Sequence, residues 1–397
     1  MSKYIILILI FTAITRLYHL SYPNSYVFDE VYHAFTAKEY LQGNKDAWNP
    51  YATPPKDVAY EWLHPPIAKE IMTVSMFIFR SDQAFYWRLP GAILGVLSVL
   101  LVYLLGKEIF KNSSIAVLAG FLFSVDGLNF VQSRTGMNDI YLVTFSLASV
   151  LFFAKKKFLW SAIFLGLAFS SKWPGIFLLP VFSFFLIKQK LIPKIPLFIF
   201  LSITIYLLSY APYFLIGYRL SDFANLHQQI WWYQTNLKAT HSYSSPWWSW
   251  PLNLYPVWYF VDYPGRQIAT IFASGNSILF WSGLLAVLIS TYQFIKGKFK
   301  FALILFTYFI FWLPWAISPR IMFLYHYSPA VPFLSLILSY QLYQMWQKKS
   351  LRFLSFFLII IILSNFILLY PFLTGIPLNK DLVNLFFRTN LAPNPFI

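Results

Sequence analysis

Cysteine is absent from the sequence, so the chain can form neither disulfide bonds nor thiolate metal sites. Charged residues are scarce: they make up 11% of the 397 residues, whereas 58% are hydrophobic. This balance excludes a soluble globular protein of this size. The sequence also lacks internal repeats, low-complexity tracts and Gly/Ser linkers that would mark a boundary to a soluble module. It therefore predicts one all-α integral membrane domain.

Apolar stretches of about 20 residues recur along the chain, and each is long enough as a helix to cross a hydrocarbon core of about 30 Å. A hydropathy window predicts about eleven transmembrane helices. Their approximate ranges are 4–20, 89–107, 114–132, 138–154, 158–171, 174–188, 196–217, 276–295, 300–317, 325–346 and 352–372. The first is interpreted as a retained span rather than a signal peptide, because no small-residue cleavage site follows it.

The formal net charge of +16 does not predict a nucleic-acid site, because the basic residues fall in short clusters between spans. The clusters are Lys107 and Lys111; Lys155, Lys156 and Lys157; Lys188, Lys190 and Lys194; Lys296, Lys298 and Lys300; and Lys348, Lys349 and Arg352. By the positive-inside rule they mark the cytoplasmic side. The N-terminus is then cytoplasmic and the C-terminus external. Of the fourteen acidic residues only Glu108 lies on the cytoplasmic side, so the chemistry is expected outside.

Two long segments lie on the predicted outer side and divide the chain into two regions. Residues 1–217 form a catalytic membrane region with a first outer loop, 21–88, which holds eight of the acidic residues. Residues 218–397 contain an aromatic outer loop, 218–275, and four further transmembrane helices. Within the first loop, residues 67–80 are apolar but too short to span comfortably, and they are predicted to form an interfacial helix.

Two adjacent carboxylates, Asp29 and Glu30, follow the first predicted span and are expected at the outer membrane surface. On their own they fit solvated loop acids equally well. Further along the loop, a double proline fixes the chain between His64 and Lys69, and Arg88 begins the second span. Taken singly, His64 fits a structural hydrogen-bonding role, and the two cations fit side chains that reach for lipid headgroups.

Ionisable residues also occupy two cramped outer turns between apolar spans. Arg134 and Asp139 belong to the first turn, and Lys172, which precedes Trp173, belongs to the second. Because charges at membrane depth are costly, such residues usually face a partner or a polar cavity. They are therefore candidate site residues, with a structural ion pair between Arg134 and Asp139 as the alternative.

The predicted outer layer thus combines cations with a carboxylate pair, which suits a lipid-linked sugar phosphate whose tail lies in the bilayer. A phosphate is a good leaving group, so one carboxylate suffices as the base for an acceptor hydroxyl. No Asp-x-Asp motif is present in the sequence, and a nucleotide-sugar donor is not expected. Adjacent Asp29 and Glu30 would alone make a poor cage for a divalent cation, so no cofactor is predicted.

A series of motifs runs nearly from end to end of the chain: FDEVYH, HPPIAK, RLPGAILG, QSRTGMND, SSKWPG, SPWWSWPLNLYPVWYF and FLYHYSPAVPFL. In this order they resemble the protein O-mannosyltransferases, which use a polyprenyl- or dolichyl-phosphate mannose donor. The resemblance implies the GT-C fold, a catalytic Asp29 with Glu30 beside it, an important Arg88, and inversion at the sugar carbon on transfer to Ser or Thr. Asp139 takes the place of the family's second acidic motif, although Gly-Met-Asn before it departs from the usual apolar run. The β-trefoil domain of eukaryotic members is missing, which implies a prokaryotic plasma membrane.

The residues and the resemblance together predict the roles within the site. Asp29 is the expected general base, with Glu30 orienting it. Arg88, Arg134 and Lys172 are expected to form a cationic nest for the donor phosphate. Arg320 and His326 are reserve residues for the phosphate, and the expected supporting residues are His64, Lys69, Asp139 and Trp173.

Trp247 and Trp248 either anchor the aromatic outer loop at the headgroup level, which is favoured, or wall a groove for the acceptor polypeptide. An external polypeptide acceptor also fits coupling to the secretion channel.

Two other functions stay open: a related GT-C transferase that moves another sugar onto a glycolipid, and a lipid or sugar transporter. The WWSWPLNLYPVWYF segment speaks against the first, and the nearly charge-free midplanes of the predicted spans speak against the second.

Overall fold

The computed structural model describes residues 3–297 and 301–389, and α-helices dominate it. The helices are α1 (Lys3–Leu17), α2 (His33–Leu41), α3 (Ile67–Phe79), α4 (Ala84–Phe110), α5 (Ser113–Ser124), α6 (Gly127–Arg134), α7 (Asp139–Ala154), α8 (Phe158–Ser171), α9 (Leu178–Lys188), α10 (Ile195–Leu208), α11 (Ala211–Leu215), α12 (Leu220–Asn236), α13 (Ser277–Ile295), α14 (Ala302–Trp312), α15 (Val331–Gln347), α16 (Arg352–Thr374) and α17 (Lys380–Thr389). The prediction of an all-α chain is wrong in one respect, because a three-stranded sheet is also present. Lys298 and Lys300, predicted to be cytoplasmic, and the C-terminal residues 390–397 lie outside the described residues.

Successive apolar helices are joined by short turns and pack against each other, so they run in alternating directions. The lysine-rich turns at 111–112, 155–157 and 189–194 therefore lie at one end of the bundle. The turns at 135–138 and 172–177 lie at the opposite end, together with the first outer loop. We call this second end the polar end, because it carries the predicted site residues.

By length and composition, three of the described helices can cross a membrane: Ala84–Phe110, Ser277–Ile295 and Lys349–Thr374. A fourth span results if the bent pair of α5 and α6 is counted as one. Shorter apolar helices occupy Asp139–Ala154, Phe158–Ser171, Trp173–Lys188, Ile192–Leu208 and Ala302–Ile317. The chain is therefore a helical membrane protein. The count of about eleven spans stays a prediction, as does the division at residue 217.

The predicted span 114–132 is broken into α5 and α6, which are bent by 62° relative to each other. Asp126 causes the break, because its carboxylate accepts hydrogen bonds from two backbone amides of the first turn of α6 and so caps that helix. Gly127 is needed at this point, since a Cβ atom would lie 2.4 Å from the carbonyl oxygen of Ser274. The bend directs the C-terminal end of α6 towards the C-terminus of α1.

The segment 67–80, for which an interfacial helix is predicted, is helical as α3, and α2 is a second helix of the first outer loop. The interfacial position of α3 stays a prediction. One face of α3 buries Met72 and Met76 in an apolar cluster with α2 and α4. Burial of each methionine contributes about 1.5–3 kcal/mol to this packing. The opposite face leaves Phe77 and Ile78 largely exposed, as expected for a helix that lies on a membrane surface.

A small antiparallel sheet lies at the polar end, within and beyond the predicted aromatic outer loop. Its strands, in spatial order, are β1 (Val257–Asp262), β2 (Gln267–Ala273) and β3 (Leu378–Asn379). The Thr270 hydroxyl donates a hydrogen bond of 3.1 Å to the Phe372 carbonyl, which ties the sheet to α16. Phe28 stacks on Tyr259 of β1 with ring centroids 4.2 Å apart, so the sheet supports the start of the first outer loop.

Candidate active site

A half-open cavity of about 540 Å³ lies at the polar end. Its walls come from the first outer loop, from the end of α12 with the segment that follows it, and from residues 320–325. The polar side chains that line it include Asp29, His33, Glu61, His64, Arg320 and Tyr325. The cavity thus brings the predicted base together with one of the reserve phosphate-binding residues.

Asp29 lies on a short 3-10 helix, Phe28–Val31, that begins with an unusual backbone conformation. Phe28 has a φ of +47°, in a region that residues with a side chain rarely adopt. Besides the stacking on Tyr259, its ring meets the edge of Tyr325 at 6.0 Å. These aromatic contacts hold Phe28 in the strained conformation, and the strained backbone sets the position from which Asp29 faces the cavity.

The Asp29 carboxylate forms no hydrogen bond or ion pair with any residue that the structure describes. Burial raises its pKa to about 7, and the negative charge of Glu61 acts in the same direction. The cations Lys172 and Arg320 oppose this shift. A carboxylate with free lone pairs and a pKa near neutrality is well suited to accept a proton from a hydroxyl group.

Glu30 is fully buried, and both of its carboxylate oxygens are occupied. Arg88 donates to both of them, each at 2.7 Å. The backbone amides of Val27 and Gly136 and the indole N–H of Trp87 complete the set, at 3.0, 2.8 and 3.1 Å. Glu30 therefore fixes the backbone beside Asp29, and its geometry favours a positioning role over the catalytic one. A cation shared by Asp29 and Glu30 would have to displace Arg88.

Arg88 uses all of its N–H groups within the protein. Those that do not bind Glu30 donate to the carbonyl oxygens of Leu20, Pro23 and Ser25 at 2.8–3.2 Å. The guanidinium thus cross-links α4, Glu30 and the segment that enters the first outer loop. It has no donor left for a phosphate, which corrects the role predicted for Arg88.

Arg134 is also committed to the backbone. Its guanidinium donates to the carbonyl oxygens of Thr15 and Arg16, in the last turn of α1, and of Tyr18 and His19, directly after it, at 2.5–3.3 Å. A cation that binds the last carbonyls of a helix satisfies their free acceptors and complements the helix dipole. The geometry therefore does not support a phosphate nest that includes this arginine.

Asp139 and Lys172 form the second buried ion pair of the site. The Lys172 ammonium lies 2.9 and 3.0 Å from the two Asp139 oxygens, and it lies over the Tyr325 ring at 5.4 Å. The alternative ion pair between Arg134 and Asp139 is thus wrong. Because an ammonium has three donors, Lys172 keeps one N–H beyond the two that bind Asp139. Its charge also acts on Asp29, so it remains a candidate for the donor phosphate.

Arg320 is the cation with the most unused donors in this part of the described chain. It lines the cavity, donates to the side chain of Gln234, and has a buried Nε that lacks a partner. His326 is buried between Trp250 and Trp315, with Nδ1 3.0 Å from the Phe323 carbonyl oxygen. The geometry therefore favours Arg320 over the histidine as a ligand of an anion.

The segment before α3 supplies a carboxylate that was not among the predicted site residues, Glu61. Its Oε1 accepts a hydrogen bond of 2.9 Å from the His64 amide, and its Oε2 lies 3.5 Å from His33 Nδ1. The Lys69 ammonium donates to the carbonyl oxygens of Glu61 and His64 at 2.6 and 2.9 Å, which fixes this segment. Lys69 is thus a structural support, and burial lowers its pKa to about 8.

The predicted tryptophans lie away from the cavity. The Trp173 indole N–H donates to the Tyr206 hydroxyl at 3.1 Å. Trp247 packs against Trp312 with ring centroids 5.6 Å apart, and Trp248 is half exposed. Neither Trp247 nor Trp248 lines the cavity, so the geometry favours an anchor over a groove wall. On this side the cavity is lined instead by Tyr233, Leu237, Ala239, Thr240 and His241.

The described residues contain no group of three His, Cys, Asp or Glu side chains that could hold a metal ion. Glu61 and Tyr233 are among the lining residues that the motifs did not single out. The sequence does carry a signal for Glu61, because it lies three residues before His64 in the same polar segment. Tyr233 falls among many aromatic residues and carries no comparable signal.

Comparison with known families gives a match along most of the chain. Residues 6–218 match the model described as dolichyl-phosphate-mannose-protein mannosyltransferase, and residues 219–387 match the C-terminal four-span region of protein O-mannosyltransferase. The polyprenol-phosphate-mannose–protein mannosyltransferase of Mycolicibacterium smegmatis is 24% identical over 94% of this chain and 89% of that protein. Dolichyl-phosphate-mannose–protein mannosyltransferase 1 of Saccharomyces cerevisiae is 30% identical, over 42% of this chain and 22% of its own length.

Solved structures show the same fold at low identity. The S. cerevisiae protein O-mannosyltransferase Pmt1-Pmt2 complex bound to the sugar donor aligns with a TM-score of 0.81 at 16% identity, over 99% of this chain and 92% of that one. ArnT from Cupriavidus metallidurans bound to undecaprenyl phosphate aligns with a TM-score of 0.60 at 14% identity, over 85% and 60% of the two chains. The fold is therefore GT-C, as predicted.

Proposed function

The chain belongs to the dolichyl-phosphate-mannose-protein mannosyltransferase family, and on this basis we propose that it moves mannose from polyprenyl-phosphate mannose to Ser or Thr hydroxyls of polypeptides. Its membership and its relatives make it a glycosyltransferase. One observation carries the proposed mechanism: the Asp29 carboxylate faces the cavity without a partner, while the carboxylates of Glu30 and Asp139 are held by cations.

Asp29 takes the role of general base in the proposed reaction. The acceptor oxygen attacks the sugar carbon C1, the bond from C1 to the phosphate oxygen breaks, and the hydroxyl proton passes to Asp29. The phosphate leaves with the bonding electron pair, so no acid is required on the departing side. Attack from the face opposite the phosphate in a single displacement inverts the configuration at C1.

The donor phosphate is assigned to Arg320 and Lys172. Both cations act on Asp29 electrostatically, and Arg320 lines the same cavity as Asp29. Arg320 retains unused N–H groups, including a buried Nε, and Lys172 retains one donor. Charge-assisted hydrogen bonds from these groups would stabilise the negative charge that develops on the phosphate oxygen.

The reaction is assigned to the outer face of a prokaryotic plasma membrane. The lysine-rich turns lie at the end of the bundle opposite the cavity, and basic turns are retained on the cytoplasmic side. The polypeptide acceptor would then meet the cavity as it emerges from the secretion channel. The N-terminus is cytoplasmic in this arrangement.

The test is incubation of purified protein with radiolabelled polyprenyl-phosphate mannose and a Ser/Thr-rich peptide. Formation of an alkali-labile mannosyl peptide is expected, and loss of the label from the lipid should match its gain by the peptide. Transfer from another lipid-linked sugar, or to a glycolipid, would replace the proposal by the related GT-C activity. Movement of labelled lipid across vesicles without any glycoside product would replace it by a transporter.

A further inference from the structure

The carboxylates around the cavity fall into two classes. Glu30 is paired with Arg88 and Asp139 with Lys172, so each of these charges is neutralised by direct contact. Asp29 has no ion pair with any described residue, and the basic side chain that contacts the Glu61 carboxylate is the His33 imidazole, with Nδ1 3.5 Å from Oε2. Asp29 and Glu61 line the same cavity, so it contains two carboxylates without a lysine or arginine partner.

Glu61 is held rigidly in this position. Its side chain is buried and accepts from the His64 amide, and its own amide donates to the Thr36 hydroxyl at 2.7 Å. Its carbonyl oxygen is bound by Lys69. Because neither the backbone nor the side chain can turn away, Glu61 cannot reduce the repulsion with Asp29 by moving into solvent.

The histidines beside the pair do not supply a compensating charge. Burial holds the pKa values of His33 and His64 well below the ordinary value, and nearby Lys172 acts in the same direction.

The charged groups that face the two carboxylates are Asp139 on α7, Lys172 after α8, Lys69 on α3 and Arg320 before α15. The neutral titratable groups are His33, His64, Tyr32, Tyr40, Tyr233, Tyr259 and Tyr325. Lys172 is already matched by Asp139, and Lys69 is bound to backbone carbonyls.

We propose that Asp29 and Glu61 act as a coupled carboxylate pair that shares one proton in the resting site, so that Glu61 sets the pH at which Asp29 becomes a base. Two nearby carboxylates in a poorly solvated cavity resist ionising together, and the second proton leaves at a higher pH than the first. The inference rests on the proposed function in taking Asp29 as the base. Glu61 is then a positioning residue that acts through Asp29.

The pH dependence follows from the sign of the Glu61 charge. Burial, with Glu61 second, raises the pKa of Asp29 to about 7, so the wild-type rate should rise with pH through this region. Glu61→Gln removes the negative charge and lowers the pKa of Asp29. The acidic limb of the pH profile of kcat/KM should therefore shift down by about one pH unit or more. At acidic pH the variant should be faster, relative to its own plateau, than the wild type.

Two matched variants control the experiment. Glu61→Asp keeps the charge and should keep the limb near its wild-type position. Glu70→Gln removes another buried carboxylate, on α3, whose charge does not act on Asp29, and should leave the limb unchanged. The proposal would be overturned if the acidic limb of Glu61→Gln coincided with that of the wild type or moved to higher pH. An equal shift of the limb in Glu70→Gln would also overturn it.

A titration followed by infrared spectroscopy tests the shared proton without turnover. Burial raises the pKa of Glu70 to about 7, so the measurement is made in the Glu70→Gln background. The C=O band of one protonated carboxyl should be present near pH 6.5 and should be much weaker in both Asp29→Asn and Glu61→Gln. Loss in Asp29→Asn alone would mean an independent acid and would overturn the proposal. If the wild type forms no mannosyl peptide, the proposed function fails, and the titration still decides whether the proton is shared.

Discussion

At the scale of the residue, Asp29 differs from the other site carboxylates because its lone pairs are unoccupied while burial and Glu61 hold its pKa near 7. Asp29→Asn keeps the shape and removes the base. We expect turnover to fall by at least about 10²-fold, because a positioned base contributes about 10²–10⁴ to the rate. Donor binding should be nearly unchanged, as measured by displacement of labelled lipid from purified protein. Near-normal turnover in this variant would contradict the assignment.

Arg88 and Arg320 provide a contrast between structural and ligand-binding cations. Arg88→Ala leaves Glu30 as a buried charge without its partner, which destabilises by about 3–5 kcal/mol. We expect a lower yield and a lower midpoint of thermal unfolding in detergent. Arg320→Ala removes a half-buried side chain, and the variant should fold normally. Its kcat/KM for the lipid donor should fall about 10- to 150-fold, the equivalent of about 1.5–3 kcal/mol.

These two arginine variants also test whether Arg88 belongs to a cationic nest for the donor phosphate. If Arg88→Ala were folded with normal stability and had lost only donor affinity, Arg88 would be a phosphate ligand after all. Arg88→Lys is a useful control, because it retains a positive charge but cannot reproduce the forked contact with Glu30.

The sequence predicted the position of Asp29 and the polar surroundings of the site, because charges are rare in this chain and each one is conspicuous. It could not distinguish Arg88, Arg134 and Arg320, since all three lie near the predicted outer interface. Their roles depend on which carbonyl oxygens or carboxylates lie within 3 Å or so, and such contacts between distant segments leave no local pattern. For Glu61 the spacing from His64 is visible in the sequence, but its contact with His33 is not, because that contact joins two separate segments.

At the scale of the element, the aromatic outer loop separates into a packed part and a part that lines the cavity. Tyr233, near the end of α12, faces the cavity, whereas Trp248 does not. Tyr233→Ala should raise the KM for the acceptor peptide about 2- to 10-fold, since an aromatic contact contributes about 0.5–1.5 kcal/mol. Trp248→Ala should leave this KM unchanged. Equal effects of the two variants on the peptide KM would contradict the division.

Element boundaries were predictable where an apolar run ends in a turn that carries charge, as between α7 and α8 at 155–157. They were not predictable where one residue redirects a continuous apolar stretch. Asp126 interrupts such a run and caps α6, and the sequence around it reads equally well as one span. The hairpin of β1 and β2 was missed because its aromatic residues also fit a membrane interface, and pairing with β3 requires contacts over more than 100 residues.

At the scale of the whole molecule, charge is segregated along the bundle axis. One end carries the lysine-rich turns, and the other carries the buried ion pairs and the cavity. This arrangement was predictable, because an apolar chain of this length with short turns must alternate in direction. The absolute orientation in a membrane depends on the insertion process, and it rests on the positive-inside rule alone.

A labelling experiment measures this orientation directly, and the chain suits it because it has no cysteine of its own. Lys56→Cys lies on the first outer loop and Lys156→Cys on the turn between α7 and α8, at opposite ends of the bundle. Both lysines are exposed, and neither lines the cavity, so the two single-cysteine variants differ mainly in their end of the molecule. In intact cells an impermeant maleimide should label the cysteine at position 56 at once and the one at position 156 only after permeabilisation. The reverse pattern would place the cavity in the cytoplasm, where an acceptor emerging from the secretion channel could not reach Asp29. It would contradict the assignment of the reaction to the outer face. The chemistry proposed for the site would be unaffected.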